Sequence, residues 1–264
     1  MIRYPGRALL TAQRFVEEVR PDFKELKIWD ISLSTGHLMY HCAPGGQGFT
    51  KEKFVIDLHN FLSLKSCTNQ LQGMWSDHFK SGQSEEAYMK QRALFNSRKP
   101  RLQTWTDCCR LYCLLVASGY AHKYSNKAYS ASYFPYHLDL HGVSKASELM
   151  RSKSARLCNG DLMSFSESDL DDSSVVYMHM PGRFDRYGYN YVWSKRKMGQ
   201  VVKAFNELNE LGNKVCLSTL YENRGRVVHD LNLFPGFKTY TVLHYEDRKY
   251  GFRRRTAEIY YTNF

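Results

Sequence analysis

The stretch from Ser173 to Leu220 constrains the fold more than any other. SSVVYMHM (173–180) is an apolar run of strand length, and NKVCLSTL (213–220) reads as a second buried strand. Between them, SKRKMGQVVKAFNELNELG (194–212) is the clearest helix of the chain. Met198, Val201, Val202, Phe205, Leu208 and Leu211 form its apolar face, Ser194 can cap its start, and Gly212 stops it. Strands that are apolar along their whole length need cover on both faces. Amphipathic helices alternating with such strands supply it in a mostly parallel α/β sheet.

The N-terminal part carries the same rhythm. ALLTAQRFVEEV (8–19) has helical spacing and stops at Pro21, and ELKIWDI (25–31) reads as a buried strand. SLSTGHL (32–38) is a loop of small residues, and EKFVIDL (52–58) reads as a second strand that carries Asp57 at its end. Strand, small-residue loop, helix and acid-tipped strand begin a nucleotide-binding α/β unit, a pattern that many unrelated chains share.

The middle differs. SEEAYMKQRALF (84–95) and DCCRLYCLLVASGY (107–120) read as helices, and AHKYSNKAYSASYFPYH (121–137) as a loop rich in Tyr, Ser and Lys. Such a loop can reach phosphates and stack on bases, or be an ordinary polar loop. SARLCNGDL (154–162) returns to strand. The tail, FKTYTVLHYEDRKYGFRRRTAEIYYTNF (237–264), predicts two strands around a basic turn, an antiparallel hairpin with Arg253, Arg254 and Arg255 at or beside the turn.

The formal net charge of +11 favours a polyanionic partner, most simply nucleic acid, although a basic protein without such a partner has the same composition. The seven cysteines form no CxxC pair and are odd in number, as expected of reduced thiols in a cytoplasm. Cys108, Cys109 and Cys113 share one apolar helical stretch, which points to core packing rather than to a metal. No apolar run reaches the length of a membrane span, and MIRYPGRALL lacks the features of a signal peptide.

Several stretches, in order and over nearly the whole chain, resemble the Dam-type DNA adenine methyltransferases, especially those of T-even-type bacteriophages. YPGRA (4–8) resembles the family's Y-x-G-x-K element, WDISLSTGHL (29–38) its D-x-F-x-G-x-G-type cofactor loop, and VIDLHNFL (55–62) the N-D-x-N strand end. YMKQRALFN (88–96) resembles Y-x-x-x-R-x-x-F-N, NGDLMSF (159–165) the G-D-F segment, ELNELGNKVCLSTL (207–220) L-x-x-x-G-x-K-x-x-L-S-N, and AEIYYTNF the last strand. Each match is loose, and the order and spacing carry the specificity. The resemblance implies a Rossmann-like S-adenosylmethionine-dependent methyltransferase fold with a helical insertion and a C-terminal β-hairpin. Residues 1–60 and 150–264 would form the α/β domain, and 61–149 an inserted helical domain that recognises DNA.

The family's catalytic tetrapeptide is Asp-Pro-Pro-Tyr, preceded by V-V-Y-x. Here VVYM is followed by His179, Met180, Pro181 and Gly182. The family moves a methyl group to the exocyclic amine of a flipped adenine, whose lone pair is delocalised into the ring. The acid and a backbone carbonyl accept hydrogen bonds from that amine, the prolines fix the carbonyl, and the aromatic ring stacks on the base. His179 brings no negative charge, Met180 loses a rigid ring, and Gly182 loses the stacking group. Losing one such stabilising group commonly costs about 2.7–4 kcal/mol in barrier. Ordinary adenine methylation is therefore not expected.

The resemblance also assigns cofactor contacts to Tyr4, Gly6, Arg7, Asp30, Gly36, Asp57 and Asp161, although Ala8 stands in place of the lysine and Ser32 and Ser34 in place of an aromatic and a glycine. The commoner fate of such acids is a solvated strand end. DNA contacts are expected from Arg92, Arg98, Lys99 and Arg101 in the basic 90–101 segment, from Arg110 and Lys123, from Asn126 in KYSN where the family has R-x-N, and from Arg253–Arg255. No metal is expected. The leading expectation is a phage-encoded pseudo-methyltransferase in the cytoplasm of a bacterial host. It would occupy double-stranded DNA or act as a non-catalytic partner of a host or phage protein. Two alternatives stand beside it, an active S-adenosylmethionine-dependent DNA methyltransferase with a divergent site, and a module that binds a host protein.

Overall fold

The computed structural model describes residues 9–33, 36–51, 53–78, 140–160, 170–180, 195–223, 226–227, 234–247 and 253–264. The chain divides into two compact units, Gly6–Lys51 with Ala155–Phe264, and Met1–Pro5 with Glu52–Ser154. The divisions thus fall at 52 and 154, where the sequence placed the inserted segment at 61–149.

The larger unit is mixed α/β. Helix α1 (Leu9–Arg14) runs into a wide turn, Phe15–Val19, and a 3-10 turn at Pro21–Glu25 leads to β1 (Lys27–Asp30). Helix α2 (His37–His41) and β2 (Gln47–Thr50) follow. After the smaller unit come β3 (Arg156–Asn159) and β4 (Ser174–Met180). In the smaller unit the chain forms α3 (Lys53–Leu62), α4 (Cys67–His78) and α5 (Leu140–Lys153). The larger unit closes with α6 (Lys195–Glu210), β5 (Val215–Asn223), a short β6 (Arg226–Val227), β7 (Lys238–Asp247) and β8 (Arg253–Thr262).

The strands form one sheet in the order β3-β2-β1-β4-β5-β8-β7, with β6 beside β5. The first five are parallel, as apolar strands linked by crossovers require. β8 runs antiparallel between β5 and β7, and β7 and β8 are the expected hairpin. The arrangement is compatible with a Rossmann-like fold. From β1 the chain steps outward through β2 and β3, then resumes at β4 on the other side of β1. The β1–β4 pair is therefore the switch point, where sheets of this kind bind ligands at the carboxyl ends of their strands.

Alternation along the strands separates two cores. Val176, Met178 and Met180 of β4 join Trp29, Leu217, Ile259 and Tyr261 beneath Val201, Phe205 and Leu208 of α6. On the opposite face Ile28, Val175, Cys216 and Tyr260 are buried, and Phe15 after α1 stacks on Tyr260 with ring centroids 4.0 Å apart. The predicted α6 face holds at Val201, Phe205 and Leu208, with Val202 partly buried. Leu211 falls beyond the last helical turn and is 63% exposed.

One sequence expectation is overturned. EKFVIDL is not the second strand; residues 53–62 are helix α3. Buried Val55, His59 and Leu62 lie at helical spacing, and a β-branched pair, Val55-Ile56, imitates a strand only locally. The second strand is β2, in the glycine-rich segment just before it. At Gly48 a Cβ would come within 2.7 Å of the Leu33 side chain, so the glycine lets Leu33 pack closely against the strand. The smaller unit packs α5 against α3 and α4, and Ser147 Oγ donates to Leu64 O at 3.4 Å.

Candidate functional site at the switch point

β1 ends at Asp30, which is 3% exposed. Its Oδ1 accepts hydrogen bonds from Ser32 N at 3.1 Å and from Ser32 Oγ at 3.2 Å. Burial removes the water that stabilises a carboxylate and pushes the Asp30 pKa up to about 6; the Ser32 hydrogen bonds and nearby His179 oppose this only partly. Burial also raises the Tyr40 hydroxyl, and the charge of Asp30 adds to that shift.

β4 ends beside it. Met180 is fully buried in the α6-side core. His179 faces the other way. Its backbone N–H donates to Ser32 Oγ at 2.8 Å. Its ring Nδ1 lies 2.9 Å from Ser218 Oγ on β5 and 3.1 Å from Glu258 Oε1 on β8. Glu258 is 2% exposed, and its Oε1 makes no aligned hydrogen bond; its contact with His179 Nδ1 becomes an ion pair when the imidazole is protonated. Thr11 Oγ1 of α1 donates to the other carboxylate oxygen, and Tyr260 OH reaches Thr11 Oγ1 at 3.5 Å. Tyr177 OH and Ser218 Oγ are 2.7 Å apart, completing a buried polar network that spans β4, β5, β8 and α1.

Of the expected cofactor residues, Asp30 and Gly36 are brought to this end of the sheet. Gly36 has φ +62 at the start of α2, and a Cβ there would come within 2.8 Å of the Tyr40 ring, so local packing alone already demands the glycine. Asp57 is not at a strand end; it is half-buried on α3 in the smaller unit. Tyr4, Gly6, Arg7, Asp161, Pro181 and Gly182 lie outside the described residues, as do Arg92, Arg98, Lys99, Arg101, Arg110, Lys123 and Asn126. Arg253, Arg254 and Arg255 open β8, in register with Asp247, Glu246 and Tyr245 of β7. Among the described residues no group of three or more His, Cys, Asp or Glu side chains is placed to hold a metal, and no helix is long and apolar enough to cross a membrane.

The sequence alone did not single out Ser218 and Glu258. A signal was present, since Ser218 lies in VCLSTL and Glu258 in AEIYY, polar residues inside runs of strand-forming residues, where burial demands a partner.

The state of Asp30 sets a pH dependence. Its folded pKa of about 6 lies above the ordinary value of 3.8, so folding favours the protonated form. This contribution is fully present below about pH 4 and is lost as pH rises through about 6, amounting to about 3 kcal/mol by pH 7. Asp30→Asn, which stays neutral, is expected to gain stability relative to the wild type across that window. Urea midpoints from pH 4 to pH 7.5 check it; parallel curves for the two proteins would contradict it.

No family model matches the chain, and no curated protein is significantly similar to it. The site and the sheet thus define a mixed α/β protein with a polar cluster at its switch point.

Proposed function

We propose that this protein is a DNA-binding relative of the Dam-type adenine methyltransferases that has lost adenine methylation and acts by occupying DNA or as a non-catalytic partner. The observation that carries this reading is the direction of the side chains at the end of β4. His179, at the position of the catalytic acid, turns its ring Nδ1 toward Ser218 and Glu258, and Met180 is buried beneath α6. Both serve the interior of the sheet. A mostly parallel sheet closed by an antiparallel hairpin agrees with the architecture that the resemblance implies, and the charge of +11 supports a polyanionic partner.

Incubation with labelled S-adenosylmethionine and duplex DNA is the test, alongside a mobility-shift titration at low salt. DNA should be bound and should gain no label. Absence of DNA affinity at low salt would remove the reading. A second reading, an active enzyme on an altered base, is favoured by the retention of Asp30 and Gly36 beside the switch point. Label transfer that is abolished by His179→Ala would establish it in place of the first.

A further inference from the structure

The chain leaves β1 toward β2 and leaves β4 toward β5, so the two strand ends meet at the switch point, where sheets of this kind form their ligand crevice. The ladder between them continues to the bond from Ile31 N to Tyr177 O, 3.0 Å. Past that point a side chain takes over. Ser32 Oγ accepts from His179 N at 2.8 Å and donates to Asp30 Oδ1 at 3.2 Å. A strand-end carboxylate and a strand-end amide, the acceptor and donor with which such a crevice can hold a hydroxyl, are thereby joined to each other through one serine.

We propose that Ser32 is an autoinhibitory latch across the switch-point crevice, and that a nucleoside-bearing ligand must displace its hydroxyl from Asp30 and from the His179 amide in order to bind. A ribose hydroxyl donates one hydrogen bond and accepts others, as the serine hydroxyl does, so Ser32 competes with it in kind. The backbone N–H of Ser32 holds Asp30 separately at 3.1 Å, so removing the hydroxyl leaves the carboxylate in place. The inference rests on reading the crevice as the remnant of an S-adenosylmethionine site, and it deepens the proposed function by assigning the loss of that site to one side chain. Ser32 is only half-buried, which makes its substitution compatible with the fold.

Calorimetric titration with S-adenosylmethionine of the wild type, Ser32→Ala and Ser32→Thr tests the latch. Ser32→Ala should bind about tenfold tighter than the wild type, because the two partners of the hydroxyl are then satisfied by ligand instead of by the protein. Ser32→Thr, which keeps the hydroxyl, should match the wild type. Ser32→Cys, nearly isosteric and a much weaker hydrogen-bonding group, should show part of the gain and replaces alanine if that variant does not fold. A dissociation constant for Ser32→Ala, or for Ser32→Cys in its place, equal to or weaker than that of the wild type overturns the latch, as does absence of binding by every variant at millimolar ligand. DNA affinity measured on the same samples separates the two failures: its loss in the wild type counts against the proposed function, and an unchanged ligand affinity counts against the latch.

Discussion

Replacing His179 with alanine should lower folding stability by about 3–5 kcal/mol and leave methyl transfer to DNA at background. Glu258 is almost wholly removed from solvent, and of its two oxygens one is served by Thr11 and the other lies 3.1 Å from the imidazole. Alanine at 179 takes the imidazole from that second oxygen, and an uncompensated buried carboxylate is far more costly than the net worth of the pair that held it. The same argument predicts the behaviour of the double variant. His179→Leu combined with Glu258→Leu removes both polar groups, so it should recover most of the loss, since replacing both members of a buried polar pair with apolar side chains is often neutral or stabilising. Urea unfolding of the wild type, both single leucine variants, the alanine variant and the double variant gives the coupling energy directly. A single-variant loss below about 0.5 kcal/mol would show that the ring does not compensate the carboxylate.

DNA affinity should fall by about 10³–10⁵ between 50 and 200 mM salt if 6–10 phosphates are contacted, the largest effect expected for this protein. A surplus of 11 positive charges can supply that many contacts. The hairpin refines the expectation for the arginines. Arg253 and Arg254 stand opposite Asp247 and Glu246 in the β7–β8 register, positions at which opposite charges attract across a strand pair. Replacing Arg253–Arg255 together with alanine should therefore reduce the slope of log affinity against log salt by less than the roughly 0.9 per contact that three independent phosphate contacts would give. Alanine at Arg92, Arg98, Lys99 and Arg101 should reduce it by more. A fluorescence-anisotropy titration series in potassium chloride reports both slopes, and an unchanged slope in both variants would place the DNA contacts elsewhere.

Much of the larger unit was legible before any coordinates. α6 announced itself by its apolar face and by Gly212, whose φ of +83 ends it, and β4, β5 and the β7–β8 hairpin by apolar runs of strand length with turn residues between them. These elements take their form from local pattern, and tertiary packing agrees with it. Residues 52–58 read equally as strand or helix because four apolar residues among seven satisfy both over so short a window, and only packing in the smaller unit chooses between them. β2 was missed because Gln47–Thr50 has little strand propensity of its own and is held in the sheet by β1 and β3 on either side.

The sequence by itself determined that His179 occupies the end of an apolar strand just before a Pro-Gly pair and that no acid stands at that position, because residue identity and strand period are local properties. Only the tertiary structure decided what the imidazole faces. Glu258 is 79 positions further along the chain and Ser218 is 39, and both reach the ring because β5 and β8 are laid next to β4 in sheet order, a long-range pairing that no local pattern encodes. Likewise Ser32 was visible only as a small residue in a loop, and it became a link between Asp30 and His179 only when the parallel β1–β4 register brought the two strand ends together.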